Sequence, residues 1–218
     1  MTASRDVRAA TTVAVVLVLA AAVAGVLLLR DGGPTVAVAG EASAAGAGAG
    51  PVSTGPAAIA GGVVATASCT SAPSRAADGT PTSFDAGNAV DGRMDTAWRC
   101  DGDGVGDRLV LRLPRSGRVS QLTIVPGYAK TDQADGSDRY AQNRRISGLT
   151  VDTGDGPPTA VSLDPSPTRR AAQTVRFPAA ETDTVTLTIT SSVPGAPVGT
   201  QPASDRVAIS EVTFPELR

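Results

Sequence analysis

The sequence predicts an all-β sandwich or jelly roll of about eight short strands, set behind one membrane-length helix and a disordered linker. Three observations carry this reading. Apolar and polar residues alternate with a period of two at Leu109, Leu111 and Leu113, at Leu122 and Ile124, and at Val185, Leu187 and Ile189. Turn residues punctuate the runs, with Asp-Gly at 78–79, 91–92, 101–102 and 155–156 and prolines at 114, 126, 157, 165, 178 and 194. Beyond residue 62, Thr, Val, Gly and Pro interrupt every 3.6-residue pattern, so no helix is expected there.

Taken in order, residues 1–8 are a short tail carrying Arg5 and Arg8, followed by an uncharged apolar run over 9–29. At ~1.5 Å per residue a helix of that length spans about 30 Å, the thickness of a bilayer's hydrocarbon core. A water-soluble helix needs a polar face, and this run has none. The arginines before it favour an N-terminus in the cytoplasm and a single pass through the cell membrane. The alternative is a cleaved signal peptide, since Ala22-Val23-Ala24 is an acceptable cleavage motif, although Val26 to Leu29 extend the apolar run past the cut. On either reading the remainder is extracytoplasmic. Residues 30–62 are mostly Ala, Gly, Pro and Ser, which cannot bury enough surface to order themselves, and they form a tether with a mean span of ~30 Å. The domain, 63–218, then places strands near 62–68, 109–113, 121–124, 146–151, 158–163, 172–177, 185–189 and 207–214.

Composition narrows the chemistry. The chain of 218 residues has a net charge of −2 with no basic stripe, so the electrostatic footprint of a nucleic-acid binder is missing. Histidine is absent, which removes every catalytic triad that needs imidazole. Cys69 and Cys100 are the only cysteines, too few for zinc. In an exported domain they read as one disulfide, the alternative being two buried thiols. The acids at 101–107 are spaced somewhat like an EF-hand, but Val105 and Arg112 stand at ligand positions and no helices flank them, so a solvated loop is expected. No pair of opposed carboxylates is singled out, as a glycosidase would require, so the domain is expected to bind and not to catalyse.

Two segments carry a family signature: Asn88-Ala89-Val90-Asp91-Gly92-Arg93-Met94-Asp95-Thr96-Ala97-Trp98, and Ala208-Ile209-Ser210-Glu211-Val212-Thr213-Phe214. Both resemble the discoidin, or coagulation factor 5/8 type C, family of galactose-binding-like β-sandwiches. Between them, Gly127-Tyr128-Ala129-Lys130 and Tyr140-Ala141-Gln142-Asn143-Arg144-Arg145 resemble a narrower branch, the glycan-binding domain found beside some secreted NAD glycohydrolases and on bacterial surface proteins. Proteins of that branch often carry a cytoplasmic zinc ribbon before the membrane span. The residues before 9 hold neither Cys nor His, so that role does not transfer.

The resemblance implies a structural calcium site. The family pattern uses the carbonyls of Asn88 and Arg93, the Asp91 carboxylate, the hydroxyl and carbonyl of Thr96, the Ser210 carbonyl and the Glu211 carboxylate. Such a set suits Ca²⁺, which takes six to eight hard oxygens, and two carboxylates leave the site near neutral. The alternative is a metal-free turn in which Asp91 caps backbone N–H groups. Trp98 reads as core. The chain has one Trp, two Tyr and three Phe, and strand pattern claims Phe177 and Phe214 for the interior. Both tyrosines fall in the polar stretch 127–145 beside the only lysine, so Tyr128, Lys130, Tyr140 and Arg144 are the expected ligand contacts. The alternative there is a loop pinned by Tyr140 and Asn143 with a solvated arginine rim. The expected partner is a glycan, such as cell-wall polysaccharide. An envelope protein on the same loop face is the second reading.

Overall fold

The computed structural model describes residues 62–214, Ala77 excepted, so the expected tail, membrane helix and nearly all of the linker lie outside the described residues. Ten strands occur within them: β1 (Val64–Ala67), β2 (Ser74–Arg75), β3 (Pro81–Thr82), β4 (Trp98–Asp101), β5 (Arg108–Val125), β6 (Arg145–Asp152), β7 (Thr159–Ser162), β8 (Gln173–Val193), β9 (Arg206–Ile209) and β10 (Glu211–Thr213). Among the described residues, helix is confined to a 3-10 turn at Ala86–Ala89 and one helical turn, α1, at Arg139–Gln142. One antiparallel sheet runs in the order β1-β5-β8-β6-β7, with β10 also on β5, while β4 pairs with β9 and β2 with β3.

Four of the expected strands are two long ones. The runs 109–113 and 121–124 both belong to β5, and 172–177 and 185–189 both belong to β8. Pro114 and Pro178, read as turn residues, lie instead inside strands at breaks in the ladder. Register shifts separate Arg112 from Gly117 and Val119 from Gln121. Pro114 falls in the first shift, and Pro178 lies opposite the second, between Arg176 and Ala180. A proline at a bulge removes no ladder hydrogen bond, so the chain bends and continues. The looser spacing of Ile146, Leu149 and Val151 has the same cause, a shift around Gly148 that lets all three face inward.

The core lies between the large sheet and the β4–β9 pair. Leu109, Leu111, Leu122, Ile124, Val185 and Leu187 from the sheet meet Trp98, Cys100, Val207 and Ile209 in one buried cluster. Trp98 is fully buried, and its indole N–H donates to the Cys69 carbonyl at 2.9 Å. Cys69 and Cys100 form a disulfide with their Cα atoms 5.8 Å apart, tying the end of β1 to β4. For a loop of 31 residues the chain-entropy account gives about 3–4 kcal/mol of stabilisation. The loop 101–107 is exposed at Asp103 and Val105, but Gly104 is buried at φ 71° against Val207, so it is only in part the solvated loop expected.

Candidate functional site

The turn from Asn88 to Thr96 folds around its own acid. The Asp91 carboxylate accepts the Arg93 N–H at 2.9 Å and the Thr96 hydroxyl at 2.8 Å, and that hydroxyl also lies 3.2 Å from the Arg93 carbonyl. Asn88 donates its side-chain amide to the carbonyls of Ser83 and Ala97, which closes the turn. Glu211, at the start of β10, accepts the Gly92 N–H at 2.9 Å and so reaches the same turn from a distant part of the chain. Its carboxyl is pushed up to about 7, first by burial and further by the charge of Asp91. Ser210 is fully buried, and its hydroxyl accepts the Ala129 N–H at 2.9 Å. Arg93 turns its guanidinium outward onto Asp95. The turn thus gathers two carboxylates, a hydroxyl and a carbonyl, an all-oxygen donor set in which one acid is held at a cost by the other. That donor set is all oxygen, as a hard cation such as Ca²⁺ requires, while its hydrogen bonds are those of the alternative reading, a turn in which Asp91 caps a backbone N–H.

The stretch 127–145 splits in two. Tyr140, expected to contact a ligand, is instead fully buried on α1, and its hydroxyl donates to the Arg169 carbonyl at 2.8 Å. Burial raises its phenol to about 12. A Cβ on Gly127 would lie 2.5 Å from the Tyr140 ring, so the ring fills the space glycine leaves open. Tyr140 is therefore an anchor of the loop, as the alternative reading had it. Arg144 also departs from the expectation, because its guanidinium pairs with Asp205 and does not enter the cavity described next. Asp138 accepts the Ala141 N–H at 2.9 Å, caps α1, and pairs with Arg170.

Tyr128 and Lys130 do line a cavity, one of about 290 Å³. Its wall combines the 127–143 stretch with β4, the segment around β2 and β3, and residues 201–206. Tyr128 is 4% exposed and meets the Phe84 ring edge-on, with centroids 6.1 Å apart. The Arg99 guanidinium lies over that ring, 3.3 Å from its centroid, and this is cation–π geometry. Burial, and then the neighbouring charge of Arg206, lowers Arg99 to about 10. Three buried side-chain atoms lack a hydrogen-bond partner among the described residues: Arg99 Nε, Asn143 Oδ1 and Ser204 Oγ. All three residues line this one cavity. Buried polar atoms are nearly always satisfied, so three orphans on one wall mark a place built for something polar. A second cavity, about 210 Å³ among Val151, Pro157, Phe177 and Pro178, has none of them.

Sequence reasoning missed Arg99, Asn143 as a cavity residue, and Ser204. A signal for Arg99 was present. Trp98 and Cys100 both face the core, so the residue between them must face the other side of β4. An arginine there, on a face that the fold also covers, is unusual.

A family model described as the NAD glycohydrolase translocation F5/8 type C domain matches residues 60–215. Comparison with curated proteins gives no match. Among solved structures, the chain is similar to the CBM32 of AlyQ in complex with 4,5-unsaturated mannuronic acid, at 19% identity over 69% of this chain and 92% of that one, with a TM-score of 0.46. It is similar to the family 32 CBM from Clostridium perfringens NanJ in complex with galactose, at 17% identity over 71% and 93%, TM-score 0.46. It is also similar to part of the arabinofuranosyltransferase AftD from Mycobacteria, at 20% identity over 72% of this chain and 11% of that one, TM-score 0.49. By the family match, which spans most of its length, the chain belongs to the NAD glycohydrolase translocation F5/8 type C domain family.

Proposed function

We propose that this member of the F5/8 type C family is a non-catalytic glycan-binding module, held outside the cytoplasm by the helix over 9–29 and steadied by a structural Ca²⁺ ion. The observation that carries the reading is that the buried Arg99 Nε, Asn143 Oδ1 and Ser204 Oγ lack a hydrogen-bond partner among the described residues, and that all three residues line one cavity. The first is a donor, the second an acceptor, and the third can be either. A sugar matches that mixture, since each of its hydroxyls both donates and accepts. The Phe84–Tyr128 pair gives the wall an apolar, rigid backing. Ca²⁺ would be held by Asp91, Thr96 and Glu211 with nearby carbonyls, and its charge would offset the two acids where Glu211 is anchored to the turn.

A glycan array probed with the full-length chain in detergent, with and without Ca²⁺, tests the reading. Defined sugar hits that disappear in Asn143→Ala are expected. An empty array, with an envelope protein recovered by crosslinking in cells, contradicts it. Topology is tested separately with cysteines placed at Ala3 and Ala45. Labelling of intact cells at 45 alone is expected, and labelling at 3 alone overturns the orientation.

A further inference from the structure

The cavity carries a charge that a neutral sugar does not explain. Five basic side chains line it, Arg75, Arg99, Lys130, Arg139 and Arg206, against one acid, Asp132. Asp132 is committed to Arg139 at 2.9 Å, and Arg206 is paired with Asp101 at 2.7 Å. Among the described residues, Arg75 donates only to the Gly79 carbonyl. Arg99 and Lys130 have no carboxylate partner and no side-chain hydrogen bond among the described residues. The whole chain is net acidic, so the excess is a local feature of this wall.

Arg99 is the strongest part of the observation. It is 9% exposed, it rests on Phe84, and Nε is one of the unpartnered atoms. Buried arginines are ordinarily paired, because a desolvated cation without a counter-charge is costly. Here the charges that act on it are mixed, Arg206 and Arg139 of the same sign and Asp101 of the opposite sign, and among the described residues none of the acids forms an ion pair with it. The guanidinium carbon rests 3.3 Å from the centre of the Phe84 ring, and the planar fork of an arginine matches a carboxylate or a sulfate ester. Lys130 adds a compact second charge on the same wall.

We propose that the cavity selects glycans bearing an anionic group, with Arg99 and Lys130 as its specificity-determining contacts. The proposal rests on the glycan reading and names the class of sugar. A carboxylate on a uronic acid and a sulfate ester share the required chemistry, so the experiment separates them.

Titration calorimetry on the full-length chain in detergent compares four probes: a galacturonic acid trisaccharide, its carboxyl-reduced counterpart, a sulfated galactose oligosaccharide and an oligoglutamate peptide. At least one anionic sugar is expected to bind roughly 10- to 100-fold tighter than the carboxyl-reduced form, the range of a charge-assisted contact. Whichever anionic sugar binds tighter identifies the source. The preference should collapse in Lys130→Gln, on a half-buried side chain without partners, and in Arg99→Met. If Arg99→Met fails to fold, Lys130→Gln alone decides. Equal binding of the neutral and anionic sugars overturns this inference and leaves the glycan reading standing. Binding of the peptide with no sugar bound overturns both.

Discussion

Around Asp91 and Glu211 the fold gathers carboxylate, hydroxyl and carbonyl oxygens, whereas around Arg99 and Lys130 it gathers five cations on a wall whose one acid, Asp132, is paired with Arg139. The two clusters are chain neighbours. Thr96 belongs to the first and Arg99 to the second, with only Ala97 and Trp98 between them. They are joined again at Ser210, which precedes Glu211 and whose hydroxyl holds the backbone of Ala129 between Tyr128 and Lys130. The difference in sign is the ground for proposing different outside partners, a cation for the turn and an anion for the cavity. It also assigns different roles. The turn closes local backbone and should govern stability, while the cavity is lined by charged and polar side chains and should govern affinity.

Substitutions sharpen this division, and the largest effect belongs to neither cluster. Tyr140→Ala empties a fully buried site and removes the bond to Arg169, and a large aromatic truncation of this kind costs about 3–5 kcal/mol. Urea unfolding should show that loss, and wild-type stability would mean that the ring is not the anchor of the 127–145 stretch. At a free Ca²⁺ concentration one hundred times its Kd, binding should stabilise the wild type by about 2.7 kcal/mol. That gain, read as a rise in melting temperature, should vanish in Asp91→Ala and in Glu211→Ala. Identical melting of the wild type in calcium and in chelator contradicts the metal site. Smallest in stability is Lys130→Gln, expected to shift it by no more than about 0.5 kcal/mol, as surface changes usually do. A clear loss of stability in that variant would place Lys130 in the scaffold and break the division.

The acidic turn was legible in the sequence because it is nearly contiguous. Asp91, Gly92, Arg93 and Thr96 lie within one short loop, and Glu211 was supplied by a second recognisable segment. Alternating leucines gave the sheet, and the two cysteines and Trp98 gave the corner. Strand ends were less legible. Pro114 and Pro178 normally stop strands, and only the partner's register shows that they sit where no ladder bond is lost. The cavity was least legible of all, being assembled from four separated stretches of chain. Scarcity of aromatics pointed to both tyrosines, of which Tyr128 lines the cavity and Tyr140 is a buried anchor, because a tyrosine's apolar ring and polar tip suit a buried site with one acceptor as well as a binding surface. Arg99 was hidden by its neighbours, since Trp98 and Cys100 draw attention to the core face of β4.

The claim that binding lives in the cavity is tested most directly by hydrogen exchange of the full-length chain with and without saturating oligosaccharide. Added protection is expected at residues 127–130, 139–143 and 204–206, the backbone that carries Tyr128, Lys130, Asn143 and Ser204. Unchanged exchange there, with new protection confined to 151–159 beside the second cavity, would contradict it.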